Sequence, residues 1–146
     1  MTPAQVQTLK AAILADANAS PARLAGDHGS IANYYNSAGA GVVYRPFITV
    51  AELNTAISWA EYVLLPVASQ NCYQAMIAGG SVDGSNANVR AGFASIFATA
   101  TTTKANLVAL AQRVPTKLET LFTVSNVCPL FGATITAADI AAVLGA

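Results

Sequence analysis

His28 is the only histidine in this chain of 146 residues, and it stands in the sequence Asp27-His28-Gly29. A metal site built on paired histidines needs a second imidazole, and a Ser-His-Asp arrangement would have to recruit this one residue. The flanking residues are instead typical of the start of a helix. We therefore expect His28 to be solvated at a helix end and not to take part in catalysis or metal binding.

The seven acidic residues are dispersed along the chain and form no recognisable catalytic pair. Glu52, Glu119 and Asp139 each stand three positions after a threonine, which is the spacing of a helix capping box. Paired carboxylates of the glycosidase kind stay open as an alternative, but nothing in the spacing favours them. The glycine-rich segment at 79–84 lacks the spacing of a phosphate-binding loop. The sequence thus predicts no catalytic, metal-binding or cofactor-binding residues and a protein that is not an enzyme.

The two cysteines, Cys72 and Cys128, are isolated and lack the C-x-x-C spacing of redox and zinc sites. We expect buried free thiols, because unpaired cysteine behaves as a small apolar side chain. A disulfide between the two is the next interpretation.

Charged side chains are scarce in this chain. Seven Lys and Arg balance seven Asp and Glu, and together they make up 10% of the residues, against about 25% in an average soluble domain. A net charge of zero argues against a sequence-specific nucleic-acid binder, which needs a basic face. The longest charge-free runs, 62–82 and 120–138, contain Pro, Gly and polar residues and do not predict a membrane span. Because charge-poor surfaces promote association, we expect part of this surface to be buried against other subunits.

The local patterns predict an all-α protein: one compact helical domain over residues 1–146, a bundle of five to seven helices. Capping signals at Thr2, Thr49, Thr116 and Thr136 mark helix starts. One strong helix is expected to carry Leu53, Ile57, Trp59, Val63 and Leu64 on its buried face. The only β-like run is Val42–Phe47, where Pro46 restricts it to an edge strand or to a short extended arm at about 42–48.

Several segments of the chain match a known group of proteins. They are Asn88–Phe97, Leu107–Arg113 and Pro115–Phe122, together with the opening Met1–Val6. In these segments the chain resembles a family of small proteins encoded among the structural genes of tailed bacteriophages, most of which carry no assigned activity. The resemblance implies a virion component assembled in the host cytoplasm, and by analogy a ring-forming adaptor between head and tail.

Two sets of residues are candidate contact sites. Tyr44, Arg45 and Phe47 in the extended arm are expected to contact neighbouring subunits. Arg90 or Arg113 is expected to pair with Glu119 and to fix the angle between consecutive helices, since a cation in the first helical turn is unfavourable without a partner. Simple solvation of these charges is the alternative.

These observations favour a homo-oligomeric virion protein, most concretely a head-to-tail connector or adaptor subunit. Its partners would be copies of itself and portal, neck or tail components. A neck, tail-completion or capsid-decoration protein is the alternative within that class. Outside the class, a small helical enzyme or ligand-binding domain would place its pocket around Tyr34, Tyr35, Trp59 and Tyr73. A regulatory or DNA-binding helical protein would need a basic helix that the sequence lacks.

Overall fold

The computed structural model describes residues 1–145 and is mostly helical. Its ten helices are α1 Pro3–Ala15, α2 Ser20–Leu24, α3 His28–Asn36, α4 Val50–Ala56, α5 Trp59–Tyr62, α6 Val67–Ile77, α7 Ala87–Ile96, α8 Thr101–Ala111, α9 Lys117–Phe122 and α10 Ala137–Gly145. Its four strands are β1 Val43–Tyr44, β2 Ile48–Thr49, β3 Ser81–Val82 and β4 Gln112–Arg113. The predicted helical class is confirmed, although the expected five to seven helices are too few because several helices have only one or two turns.

The contacts divide the chain into two compact units. The first unit combines Met1–Gly41 with Val114–Ala146, and the second is Val42–Arg113. A single domain over residues 1–146 can contain both units, so that prediction stays a prediction.

The first unit contains α1, α2, α3, α9 and α10, with α3 packed against α10, α9 and α2. Its core is mainly aliphatic and is formed by Leu9, Ile13, Ala19, Ile31, Ala32, Tyr35, Leu118, Ile135, Ile140 and Val143. Asn36 at the end of α3 joins the early and late parts of this unit. Its side-chain amide donates to the Ile135 carbonyl at 2.7 Å and accepts from the Ile135 N–H at 2.9 Å.

The second unit contains α4 to α8 and all four strands. Helix α4 packs against α8, and α6 packs against α7. Tyr73, Phe93 and Phe97 form an aromatic cluster in the core, with ring centroids 5.6 Å apart for Tyr73 and Phe97 and 6.4 Å apart for Phe93 and Phe97. Edge-to-face and offset ring contacts of this kind add to the free energy gained by burying the rings.

The segment predicted as an extended arm is held at both ends by short antiparallel ladders. In β1, Val43 pairs with Arg113 of β4, and in β2, Ile48 pairs with Val82 of β3. Pro46 lies in the bend between β1 and β2, where it removes no ladder donor. Strands β3 and β4 were not predicted, because residues 81–82 read as a loop and 112–113 as the end of a helix.

The predicted capping boxes are confirmed. In each box the threonine hydroxyl oxygen accepts a hydrogen bond from the backbone N–H three residues later. The side chain of that later residue accepts in turn from the threonine N–H. The pairs are Thr2 with Gln5, Thr49 with Glu52 and Thr116 with Glu119. Thr136 and Asp139 make the same pair of contacts at the start of α10.

The strong helix expected over Leu53–Leu64 is wrong. Helix α4 ends at Ala56, and Ile57 and Ser58 are extended before α5 begins at Trp59. The Ser58 N–H donates to Thr103 Oγ1 at 3.0 Å, so this backbone donor is satisfied by α8 and not by a continuing helix.

Candidate functional site

Tyr44, the first of the predicted interface residues, supports an arginine. The Arg90 Cζ lies 3.8 Å from the centroid of the Tyr44 ring, within the range of a cation–π contact. Arg90 Nη1 also donates to the carbonyl oxygens of Gly84 and Ser85, at 2.9 and 2.6 Å. The two side chains therefore tie β1 to the loop before α7.

Arg45, the second predicted interface residue, is held within the second unit. Its Nη2 lies 2.6 Å from Glu52 Oε1, and its Nη1 donates to the Leu110 carbonyl at 3.4 Å. The Arg45 guanidinium, together with the N–H and hydroxyl of Thr49, lowers the pKa of Glu52 to about 2. Because both charged groups are already paired, Arg45 stabilises the β1–α4 region and has little free charge to offer a partner.

Phe47, the third predicted interface residue, projects from the bend between β1 and β2 and is 61% exposed. It is one of several large apolar side chains on the surface. The densest group lies along α5 and the turn that follows it: Trp59, Val63, Leu64 and Val67 are 50, 67, 83 and 71% exposed. We call these four side chains the apolar ridge. Single exposed apolar residues are ordinary, but a group of four within residues 59–67 favours a contact surface.

The apolar ridge corrects the prediction for Trp59, Val63 and Leu64, which were expected in the core. The segment turns after Tyr62, so Leu65 is buried while its neighbours on both sides face solvent. Gln70 Nε2 fixes this turn by donating to the Leu65 carbonyl at 2.9 Å. A sequence signal was present: no charged residue lies between Tyr62 and Val82.

Glu61 holds the apolar ridge in place from within α5. Its carboxylate accepts from the backbone N–H groups of Thr103 and Thr102, at 2.8 and 3.0 Å, and so caps the start of α8. These two N–H donors lower the pKa of Glu61 to about 2. Local sequence patterns could not predict this role, because Thr102 lies 41 residues beyond Glu61 in the chain. The only acidic residue in α5 is thus directed at α8, and the exposed part of this segment carries no charge.

The residues of the predicted ion pair lie in different units. Arg90 and Arg113 belong to the second unit, and Glu119 belongs to the first. Glu119 is fully buried, and its carboxylate accepts from the N–H groups of Thr116 and Gly132, at 2.8 and 2.6 Å. The Gly132 contact could not be predicted, because it depends on the loop at 128–132. The pairing of Arg90 or Arg113 with Glu119 stays a prediction.

The second unit also contains a cavity of about 240 Å³. Its walls come from β1, β2, α4, β3, α7, α8 and β4, and most of them are apolar, including Ile48, Leu53, Val89, Phe93 and Leu107. Arg90 and Lys104 are the cations among its lining residues. The sequence suggested a pocket around four other residues, and none of them lines this cavity: Tyr34, Tyr35, Trp59 and Tyr73.

The remaining chemistry-bearing residues are dispersed. His28 is the first residue of α3, after the Asp27 cap, as expected. Both cysteines are free thiols; Cys128 is buried as predicted, whereas Cys72 is exposed because α6 turns it outward.

Within residues 1–145, no group of three or more His, Cys, Asp or Glu side chains is placed to hold a metal ion. None of the helices in this part of the chain has the length and apolar character needed to span a bilayer.

Comparisons of the chain with protein-family models, with curated proteins and with solved structures find no match.

Proposed function

We propose that this chain is a non-enzymatic structural protein of a bacteriophage virion, most concretely a head-to-tail connector or adaptor subunit that assembles into a homo-oligomeric ring. The observation that carries the proposal is the apolar ridge on a chain with one-tenth charged residues. The resemblance of Asn88–Phe97 and Pro115–Phe122 to phage structural proteins supplies the class.

The apolar ridge would gain free energy when a neighbour covers it. Full burial of an aliphatic or aromatic side chain contributes about 1.5–3 kcal/mol, and the four ridge side chains retain half or more of their exposure. Association costs about 4–15 kcal/mol in lost translational and rotational freedom, so the ridge would form the centre of a larger contact. Phe47 is a second projecting apolar group on the same unit that would contribute to such contacts.

A ring suits this surface because it repeats one contact between different faces of identical subunits. Such heterologous contacts leave no end uncovered once the ring closes. In that arrangement Tyr44 and Arg45 stiffen the segment that presents Phe47, and the partners are copies of the chain with portal, neck or tail components. A neck, tail-completion or capsid-decoration subunit would use the same surface. These roles differ in the virion components that bind the chain when the two are mixed.

Native mass spectrometry and sedimentation of the purified chain test the proposal, alone and mixed with virion components. We expect a ladder or closed ring, and we expect the double variant Leu64→Lys, Val67→Lys to be monomeric with unchanged circular dichroism. Leu24→Lys is the matched control, because Leu24 is 77% exposed but lies outside the apolar ridge. A chain that stays monomeric at high concentration, both alone and with virion components, would overturn the proposal.

A further inference from the structure

The cavity in the second unit is pre-formed by fixed groups. A Cβ atom at Gly84 would lie 2.8 Å from both the Arg45 carbonyl oxygen and Ile48 Cδ1, so only glycine lets this wall approach so closely. Arg90 clamps the Gly84 carbonyl while resting on the Tyr44 ring. A wall held in this way loses little conformational freedom when a ligand binds.

The size of the cavity suits a small molecule with a short hydrocarbon chain. An engineered apolar cavity of about 150 Å³ in another protein binds benzene, which has six carbons. In proportion, 240 Å³ holds about nine or ten carbon atoms. The lining from Ile48, Val89, Phe93 and Leu107 would exclude water from such a chain.

The charges around the cavity favour one sign of ligand. The lining includes Arg90 and Lys104 and no Asp or Glu. Arg90 is already fixed by two carbonyls, whereas the ammonium group of Lys104 has no hydrogen-bond or ion-pair partner among residues 1–145. Lys104 is also exposed, which places its charge at the mouth of the cavity. Two of the seven basic residues of the chain thus line this one apolar cavity.

We infer that this cavity binds a small anionic amphiphile, namely a straight-chain carboxylate of about eight to ten carbons. The hydrocarbon chain lies among the aliphatic and aromatic walls, and the carboxylate lies at the mouth beside Lys104. This binding site is independent of the proposed virion role, since it requires only the folded second unit.

Isothermal titration calorimetry of the full chain with octanoate, octylammonium and octanol tests the inference. We expect octanoate to bind about tenfold more tightly than octylammonium, because an exposed ion pair is worth up to about 1 kcal/mol and the sign of the head group reverses it. Higher salt is expected to weaken octanoate binding and to leave octanol binding unchanged. This comparison needs no variant, so it does not depend on how any substitution folds.

Two matched pairs of variants locate the site. Ala94 and Ala91 are both exposed positions of the same helix, but only Ala94 lines the cavity. Ala94→Leu is therefore expected to narrow the cavity and to weaken binding of all three probes, whereas Ala91→Leu leaves binding intact. Lys104→Gln is expected to weaken octanoate binding about threefold and to leave octanol binding unchanged. Lys10→Gln, in α1 of the first unit, is its control. The inference would be overturned by the absence of a heat of binding at two well-separated temperatures, since apolar burial has a large heat-capacity change. Equal affinity for octanoate and octylammonium, or full binding by Ala94→Leu, would each overturn it as well.

Discussion

The cores of the two units are filled by different kinds of side chain. In the first unit the core is formed mainly by aliphatic residues such as Ile13, Ile31 and Ile140, and the same unit contains a fully buried carboxylate, Glu119. In the second unit the rings of Tyr73, Phe93 and Phe97 occupy the centre. The two units also differ at the surface, because the apolar ridge belongs to the second unit.

Each unit therefore shows a different departure from the usual rule that charges lie outside and apolar groups inside. The buried Glu119 is accounted for within its own unit, since Thr116 and Gly132 donate to its carboxylate. The apolar ridge finds no such cover among residues 1–145. A buried charge whose hydrogen bonds come from neighbouring residues stabilises its own unit, whereas exposed apolar side chains that no residue covers favour contact with a partner.

The aromatic core of the second unit gives the largest expected effect. Phe97→Ala would remove a fully buried ring that packs on Tyr73 and Phe93, and we expect a loss of about 3–5 kcal/mol in the free energy of unfolding. Urea denaturation measures this loss. The control is Phe47→Ala, which removes the same ring from an exposed position and should change stability little. Similar losses in both variants would show that the aromatic cluster does not dominate this core.

The buried carboxylate of the first unit gives the next effect. Glu119→Gln keeps the shape of the side chain but removes its charge, and hydrogen bonds to a charged group are worth about 1.5–3 kcal/mol. We expect a loss of about 2–3 kcal/mol in the free energy of unfolding, again measured in urea. Asp139→Asn is the control, because Asp139 caps α10 in the same way but is exposed. A loss no greater than that of the control would remove the distinction drawn between the two carboxylates.

The smallest effect is confined to acid and concerns Glu61 in the second unit. Its pKa of about 2 lies below the ordinary value of 4.5, so its stabilising contacts with Thr102 and Thr103 are complete above pH 4.5 and are lost as the pH falls through 2. Glu61→Gln cannot ionise. We therefore expect its melting temperature to lie below that of the unmodified chain at pH 7 and to converge with it near pH 2.

Thermal melts followed by circular dichroism between pH 7 and 2 measure this convergence. Glu52→Gln should behave in the same way, because Arg45 and Thr49 lower the pKa of Glu52 to about 2. A constant difference in melting temperature over the whole range would show that ionisation of Glu61 does not contribute to stability.

Part of the candidate site could be predicted from the sequence and part could not. The scarcity of charge indicated an exposed contact surface, and Val42–Phe47 was recognised as the extended segment that holds Phe47. The apolar ridge itself was missed, since Trp59, Val63 and Leu64 have the spacing of a buried helical face. The helical spacing of apolar residues continues across Ile57 and Ser58. The backbone is extended there, so the side chains that follow in α5 do not share a face with those of α4.

The helical class and most helix starts follow from local patterns in the amino-acid sequence. A capping box at Thr49 or Thr116 involves residues three positions apart, so its chemistry is complete within one turn. Which of these side chains are buried depends instead on contacts between segments that lie far apart in the chain. The burial of Glu119 needs the Gly132 loop, and the break before α5 needs Thr103, 45 residues further along the chain. Contacts between distant segments override local periodicity because burial depends on every element that packs around a residue, and a local pattern contains only one of them.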